Sequence, residues 1–247
     1  MKRIMLTVAY DGTDYNGWQI QPGVTTIESV LNKELSRLLD EDIKVIGAQR
    51  TDSGVHAEGA VCVFDTGSSI PADKFSYAVN CSLPQDIRIR ASKEVAADFH
   101  PRRTPCKKTY RYRIWNDNFS LPTNSRYTHL VYTGLDIEKM KEAAGYLKGT
   151  HDFKAFCSAG SQAETTVRTI YELSVMRHDK EIDIDVTGNG FLYNMVRIIA
   201  GTLIETGQGK YEPCDMIKIL ESKDRSFAGQ TAPAKGLTLI GYEWSDL

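Results

Sequence analysis

Arg50, Asp52, Ser53 and His56 stand within seven residues of one another, in the run Ala48-Gln49-Arg50-Thr51-Asp52-Ser53-Gly54-Val55-His56-Ala57. A carboxylate in such company can serve as nucleophile or general base, and a guanidinium can hold a phosphate. Arg50 and Asp52 are two apart, so at a strand end they point the same way. Gly54 permits a positive φ, which lets the chain turn sharply just after Asp52. The run lies between an apolar stretch, Ile43 to Ile46, and an alternating one, Ala60 to Phe64. It is therefore predicted to join two strands, where a rigid scaffold displays its chemistry. A plain hairpin loop with solvated charges has the same composition. Ser53 beside Asp52 does not make a hydrolase, because Gly-x-Ser-x-Gly is absent. His56 reads as structural, a hydrogen bond that braces the loop.

A second constellation runs from Pro101 to Arg113. It holds Arg102, Arg103, Lys107, Lys108, Arg111 and Arg113 and no acid, with Tyr110 and Tyr112 between the cations. On a strand, Lys108, Tyr110, Tyr112 and Ile114 share one face, and Lys107, Thr109, Arg111 and Arg113 the other. Cations track phosphates, and an aromatic ring stacks on a base taken out of its helix. A solvated edge strand guarded by lysines would look similar. The third is Arg197, within the apolar run Phe191 to Leu203. A buried guanidinium requires a partner, and an aspartate on a nearby loop is the natural candidate. The other course for Arg197 is to snorkel to the surface.

The elements that must position these residues follow from periodicity. Residues 3–10 alternate as a strand. Thr25-Thr26-Ile27-Glu28 is a capping box, with Thr25 as cap and Glu28 reaching back. It opens a helix over 26–39, with Ile27, Val30, Leu31, Leu35, Leu38 and Leu39 on one face. Strands are predicted at 43–49 and 59–65, a helix from Pro71 to about Cys81, and a strand from Ile87 to about Ala97. His100-Pro101-Arg102-Arg103-Thr104-Pro105 breaks the pattern and links two halves, 1–104 and 105–247. In the second half, strands are predicted at 107–115, 167–177, 181–187 and from Leu237 onward. Helices are predicted at 136–148, from Phe191 to about Glu205, and near 213–221.

Each half reads β-α-β-β-α-β, so the fold class is α+β: two tandem ferredoxin-like units with a mostly antiparallel sheet and helices on one side. RNA-recognition modules use the free face of such a sheet. The loop Tyr10 to Gln21 carries Tyr10, Tyr15 and Trp18. These rings either fold back on their own domain or stack on a ligand.

Composition narrows the classes further. The chain of 247 residues is large enough to bury a core in each half. Hydrophobic residues at 41% and charged residues at 25% are ordinary for a water-soluble protein. No apolar run has membrane-spanning length. The five cysteines, Cys62, Cys81, Cys106, Cys157 and Cys214, are odd in number and lack Cys-x-x-Cys spacing. This argues against a zinc site or a disulfide framework and for a reducing cytoplasm. A net charge of −2 gives no global sign of a nucleic-acid partner, so local distribution decides.

Three stretches together resemble one family. They are Tyr10-Asp11-Gly12-x-x-Tyr15-x-Gly17-Trp18-Gln19-x-Gln21, Arg50-Thr51-Asp52-x-Gly54-Val55-His56-Ala57 and Gly190-Phe191-Leu192-x-x-Met195-Val196-Arg197. Lys108-Thr109-Tyr110-Arg111-Tyr112 and Ala234-Lys235-Gly236-Leu237-x-Leu239 fit as well. The family is tRNA pseudouridine synthase A, and the resemblance covers nearly the whole chain in the right order. Gln49, Asn194 and Ile198 depart from the family's usual residues, and none of them replaces a residue with a chemical role.

The resemblance implies the pseudouridine synthase fold and an isomerase that converts uridine to pseudouridine at positions 38, 39 and 40 of the tRNA anticodon stem-loop. It implies no cofactor and no metal, and a cytoplasmic homodimer whose partner is tRNA. By resemblance Asp52 is the catalytic aspartate, and Arg197 is assigned to pair with it and favour its ionised form. Tyr110 would stack on the flipped uracil. It would also help remove the C5 proton, for which a phenol with a pKa near ~10 is a poor base. Arg50 would enter the space the flipped base leaves. Arg102, Arg103, Lys107, Lys108 and Arg111 would hold the RNA backbone. The rival classes are an RNA-binding module without catalysis and, more weakly, a metal-dependent phosphohydrolase, which would need clustered carboxylates and histidines.

Overall fold

Alternation of apolar and polar residues builds the first strand, β1 (Lys2–Tyr10), in a computed structural model that describes residues 1–244. After it come α1 (Ile27–Leu39), β2 (Ile46–Gly47), β3 (His56–Thr66), α2 (Phe75–Asn80) and β4 (Ile87–Val95). The chain continues with β5 (Cys106–Trp115), β6 (His129–Leu130), α3 (Ile137–Tyr146), β7 (Gly149–Asp152), β8 (Val167–His178) and β9 (Glu181–Gly188). It ends with α4 (Met195–Gly207), α5 (Asp215–Ser222) and β10 (Leu237–Trp244). The order is β-α-β-β-α-β twice over, with β6, β7 and α5 inserted in the second round. The protein is α+β and its strands pair mostly antiparallel, β5 with β6 being parallel. Among the described residues no helix is long and apolar enough to cross a membrane.

Contacts divide the chain into two compact units. One is Met1–Cys106 with the chain from Leu239 on, and the other is Lys107–Thr238. In the first the strand order is β4-β1-β3-β10, with β2 alongside β3. Ile4 lies opposite Phe64 and Leu6 opposite Cys62, so these side chains share a face. Phe64 meets Phe75 of α2 edge-on at 5.5 Å, which identifies that face as the one the helix covers. Met5, opposite Val63, turns the other way and joins Ala48, Val61, Val95 and Phe99, with half-buried Tyr242 and Trp244 against them.

Two local expectations are corrected here. The cap of α1 is Thr26, not Thr25, and the box closes on Ser29. The Ser29 N–H donates to Thr26 Oγ1 at 3.3 Å, and the Thr26 N–H donates to Ser29 Oγ at 3.1 Å. Glu28 instead accepts from the Ile20 N–H at 2.8 Å. The strand expected over 43–49 shrinks to Ile46–Gly47. The Ile43 N–H donates to Ser36 Oγ (2.9 Å) and the Val45 N–H to Asn32 Oδ1 (2.8 Å). Polar side chains of α1 thus take the donors that a neighbouring strand would have used.

In the second unit the order is β5-β9-β8-β7, with β6 alongside β5. Tyr110, Tyr112 and Ile114 lie opposite Val186, Ile184 and Ile182, and all six are buried. Helix α3 packs on α4 and on β8, and α4 is buried almost all round. Helix α4 begins at Met195, four residues later than the apolar pattern from Phe191 suggests. Asn194, directly before it, is in the left-handed conformation (φ 60°, ψ 6°), which no helix continues through.

Candidate active site

The Asp52 loop is held by the loop that follows β1. The Trp18 N–H donates to the Thr51 carbonyl at 3.1 Å, and the Gly54 N–H and Ser53 Oγ donate to the Tyr15 carbonyl at 3.4 and 3.2 Å. Tyr10 Oη and Thr51 Oγ1 share a buried hydrogen bond of 2.8 Å. The backbones approach so closely that side chains are excluded. A Cβ on Gly12 would fall 2.0 Å from the Val55 carbonyl oxygen, and one on Gly17 would fall 2.5 Å from the Thr51 carbonyl oxygen. Gly54 has φ 76°, the positive φ its place after Asp52 suggested. The aromatic residues of the first loop fold back: Trp18 is 1% exposed, Tyr10 5% and Tyr15 7%. Trp18 packs on Gly47, where a Cβ would meet the indole at 2.3 Å. Tyr15 Oη donates to Asp86 Oδ1 at 2.7 Å.

Only part of this loop faces outward. Thr51, Val55 and His56 are buried, Asp52 is half-buried, and Arg50 and Ser53 are exposed. His56 Nδ1 accepts from the Gly12 N–H at 3.1 Å, with the Asp11 carboxylate 3.1 Å from the same nitrogen. The ring thus braces the two loops through this nitrogen. The clamp formed by Tyr10, Trp18 and Thr51 was not read from the sequence, although two glycines in so aromatic a loop signal close backbone approach.

In the second unit Tyr110 is 3% exposed and meets the Phe191 ring edge-on at 5.4 Å. Arg197, in the first turn of α4, is half-buried. Its Nε donates to the Ala232 carbonyl at 2.8 Å and its Nη1 to Asn194 Oδ1 at 2.9 Å. Next to it, burial pushes the phenol of Tyr112 well above its usual range, against the pull of the Arg197 charge. The Tyr112 hydroxyl donates to the Pro233 carbonyl at 2.9 Å, so it serves packing and does not titrate in the neutral range. The roles of Asn194 and of Ser158, to which Asn194 Nδ2 donates at 3.0 Å, had no signal in the sequence.

The basic stretch 102–113 divides. Arg111 is bidentate to Asp185 at 2.7 and 2.8 Å and lies 3.5 Å from Asp183, so its charge is met by carboxylates of β9. Arg113 Nη1 donates to Thr238 Oγ1 at 3.3 Å. Arg102 is exposed along its stem, yet its Nε donates to the Gly47 carbonyl at 2.7 Å. Lys107 is exposed, with its ammonium 5.5 Å from the centre of the Tyr171 ring. Arg103 is exposed and Lys108 half-buried. Among the described residues no group of three His, Cys, Asp or Glu side chains is arranged to hold a metal ion.

Comparison with known proteins aligns nearly the whole chain with tRNA pseudouridine synthases. The family model described as tRNA pseudouridine synthase covers residues 6–102 and 143–244, which include Asp52 and Arg197. The tRNA pseudouridine synthase A of Ruminiclostridium cellulolyticum is 51% identical over 242 residues, 97% of this chain and 98% of that one. Proteins of the same name from Brevibacillus brevis and Acetivibrio thermocellus are 49% and 48% identical, again over 97% of this chain and 98% of theirs. With both units aligned end to end at such identity, this chain belongs to the tRNA pseudouridine synthase A family.

Proposed function

We propose that this chain isomerises uridine to pseudouridine in tRNA, at positions 38, 39 and 40 of the anticodon stem-loop, with Asp52 as the catalytic residue. The observation that carries the reading is the Asp52 loop itself. In a chain of this family, the loop holds one half-buried carboxylate on a backbone clamped at Thr51 and Gly54. In the reaction the bond from ribose C1′ to uracil N1 breaks, the base turns, and C1′ bonds to C5. The C5 proton leaves to solvent and N1 gains a proton, so the product is an isomer of the substrate. Asp52 attacks or deprotonates the ribose, which requires its ionised form. Arg197 favours that form by its charge, and the two neutral carbonyls on its guanidinium leave that charge in place.

Tyr110 receives the flipped base, and Arg50, exposed two residues before Asp52, fills the gap in the stem. Taking a base out of the stack costs a few kcal/mol, which the stacking on Tyr110 offsets. Backbone contacts fall to Arg102, Arg103, Lys107, Lys108 and Arg111. Arg102, Arg103 and Lys107 are exposed, and Arg111 is the one already met by carboxylates. The family resemblance supports a cytoplasmic homodimer, which light scattering coupled to size exclusion tests through the mass of the particle.

The test is release of tritium from tRNA carrying C5-labelled uridine, with Asp52→Ala beside the intact chain. The intact protein is expected to release label and the variant none, with tRNA binding retained. Release by both would move the catalytic role away from Asp52. Binding without release by the intact protein would make the chain a non-catalytic RNA-binding module.

A further inference from the structure

Asn194 is placed oddly for a residue that opens a helix. An asparagine at that position usually has extended backbone and accepts from an N–H of the first turn. Here its φ is 60°, and its side chain caps nothing in α4. The side chain is committed elsewhere. Oδ1 accepts from Arg197 Nη1 at 2.9 Å, and Nδ2 donates to Ser158 Oγ at 3.0 Å. Ser158 is tied in turn, its N–H donating to the Tyr193 carbonyl at 3.1 Å. Arg197 is fixed from a second side. Its Nε donates to the Ala232 carbonyl at 2.8 Å, and the Ala232 N–H donates back to the Arg197 carbonyl at 3.1 Å.

Two segments, around 194 and 232, therefore meet on one guanidinium, and a third, at Ser158, holds the asparagine that reaches it. The two acceptors named are neutral, so they orient the cation without neutralising it. Asparagine suits the place because it adopts the left-handed conformation more readily than most residues and can accept and donate at once.

We infer that Asn194 is a positioning residue for Arg197: it gives up a helix cap to aim the guanidinium before substrate arrives. The inference rests on the assignment of Arg197 to the active site. Preorganised charge is effective because the enzyme does not have to orient it during the reaction, and misplacing such a group by about 1 Å costs about 10²-fold in rate.

The test variant is Asn194→Gly, which keeps the left-handed backbone freely accessible and removes only the side chain. With whole tRNA labelled at uridine C5, kcat for tritium release is expected to fall by about 10²-fold. KM is expected to stay within about twofold and the thermal midpoint close to that of the parent. The decisive readout is a double-mutant cycle with Arg197→Lys. If Asn194 acts through Arg197, N194G costs less than about twofold in the R197K background. A full, additive loss in the double variant would overturn the inference, since Asn194 would then act through something else. Full activity of N194G beside a crippled R197K would overturn it while leaving the role of Arg197 standing. Full activity of R197K would overturn both.

Discussion

Around Asp52 close backbone approach does most of the holding, and around Arg197 the end of the side chain is what is caught. Thr51 is gripped by the Trp18 N–H and by the Tyr10 hydroxyl, and Gly54 and Ser53 by the Tyr15 carbonyl. Those contacts need glycine where the two loops meet, because Gly12 and Gly17 have no space for a Cβ. Arg197 is aimed by an asparagine and a peptide carbonyl, across ordinary hydrogen-bond distances. A short carboxylate has little reach of its own, so its place is set by the path of the chain. A long guanidinium has many rotamers, so its place is set by what catches its end. The two regions should therefore fail in different ways when damaged.

The largest separation is expected from Gly17→Ala. Gly17 has φ 79°, and the new Cβ would meet the Thr51 carbonyl oxygen at 2.5 Å. Strained φ and overpacking together cost about 3 kcal/mol or more. Urea unfolding should show that loss, and tritium release should fall with it because the Asp52 loop moves. N194G, by contrast, should lose rate while staying within about 1 kcal/mol of the parent. Equal stability losses in the two variants would erase the distinction between a backbone-held and a side-chain-held region.

A smaller effect, confined to the clamp, is expected from Tyr10→Phe. It removes the partner of a buried Thr51 hydroxyl, and a buried group left unpaired costs about 1–3 kcal/mol. Removing Thr51 Oγ1 as well, with Tyr10→Phe and Thr51→Val together, should restore part of the loss. A double variant no better than Y10F would mean that the hydroxyl pair is not what fixes the loop.

The basic stretch offers a comparison within a few residues. Arg102 is anchored on the Gly47 carbonyl, whereas Arg103 is exposed. Arg103→Gln should weaken tRNA binding and flatten its dependence on salt by somewhat less than about one unit of slope, with no change in stability. Arg102→Gln should also lower stability, by about 1 kcal/mol. Filter binding across a salt series and thermal unfolding separate the two. An unchanged slope in R103Q would remove that side chain from the RNA interface.

Strand β5 was plain in the sequence because alternation puts Tyr110, Tyr112 and Ile114 on a face that is in fact buried. The Asp52 loop was legible for the same kind of reason, since Gly54 and the flanking apolar runs announce a turn between strands. What stayed hidden depends on partners remote in sequence. Ile43 and Val45 look like strand residues and are buried like them, but Ser36 and Asn32 take their amides. Phe191 and Leu192 continue the helical pattern of α4, and nothing local shows that Asn194 turns left-handed. Arg111 looks like a phosphate ligand until β9 is set beside it and Asp185 lies opposite. Periodicity reports which face is buried, and it is silent on which donor meets which acceptor.

That last pairing supplies the gentlest test, in a place where the second unit holds a side chain poorly. Asp183 is 5% exposed, its Oδ1 lacks a hydrogen-bond partner among the described residues, and Arg111 reaches its other oxygen only at 3.5 Å. Burial raises its pKa, with the charges of Arg111 and of Arg113, its partner across the sheet, opposing. A carboxyl whose folded pKa lies above its unfolded value costs no stability while both states are protonated. As pH rises through the folded pKa, the folded state must ionise at a penalty, and stability falls. Asp183→Asn removes that penalty, and Arg111 keeps its two bonds to Asp185. The variant is expected to melt about 2–4 °C higher than the parent at pH 7, with the gain shrinking toward pH 4. A variant that melts lower at pH 7 would show that attraction to Arg111 and Arg113 outweighs the burial of the carboxylate. The second unit would then depend on charge pairing as firmly as the first depends on its backbone.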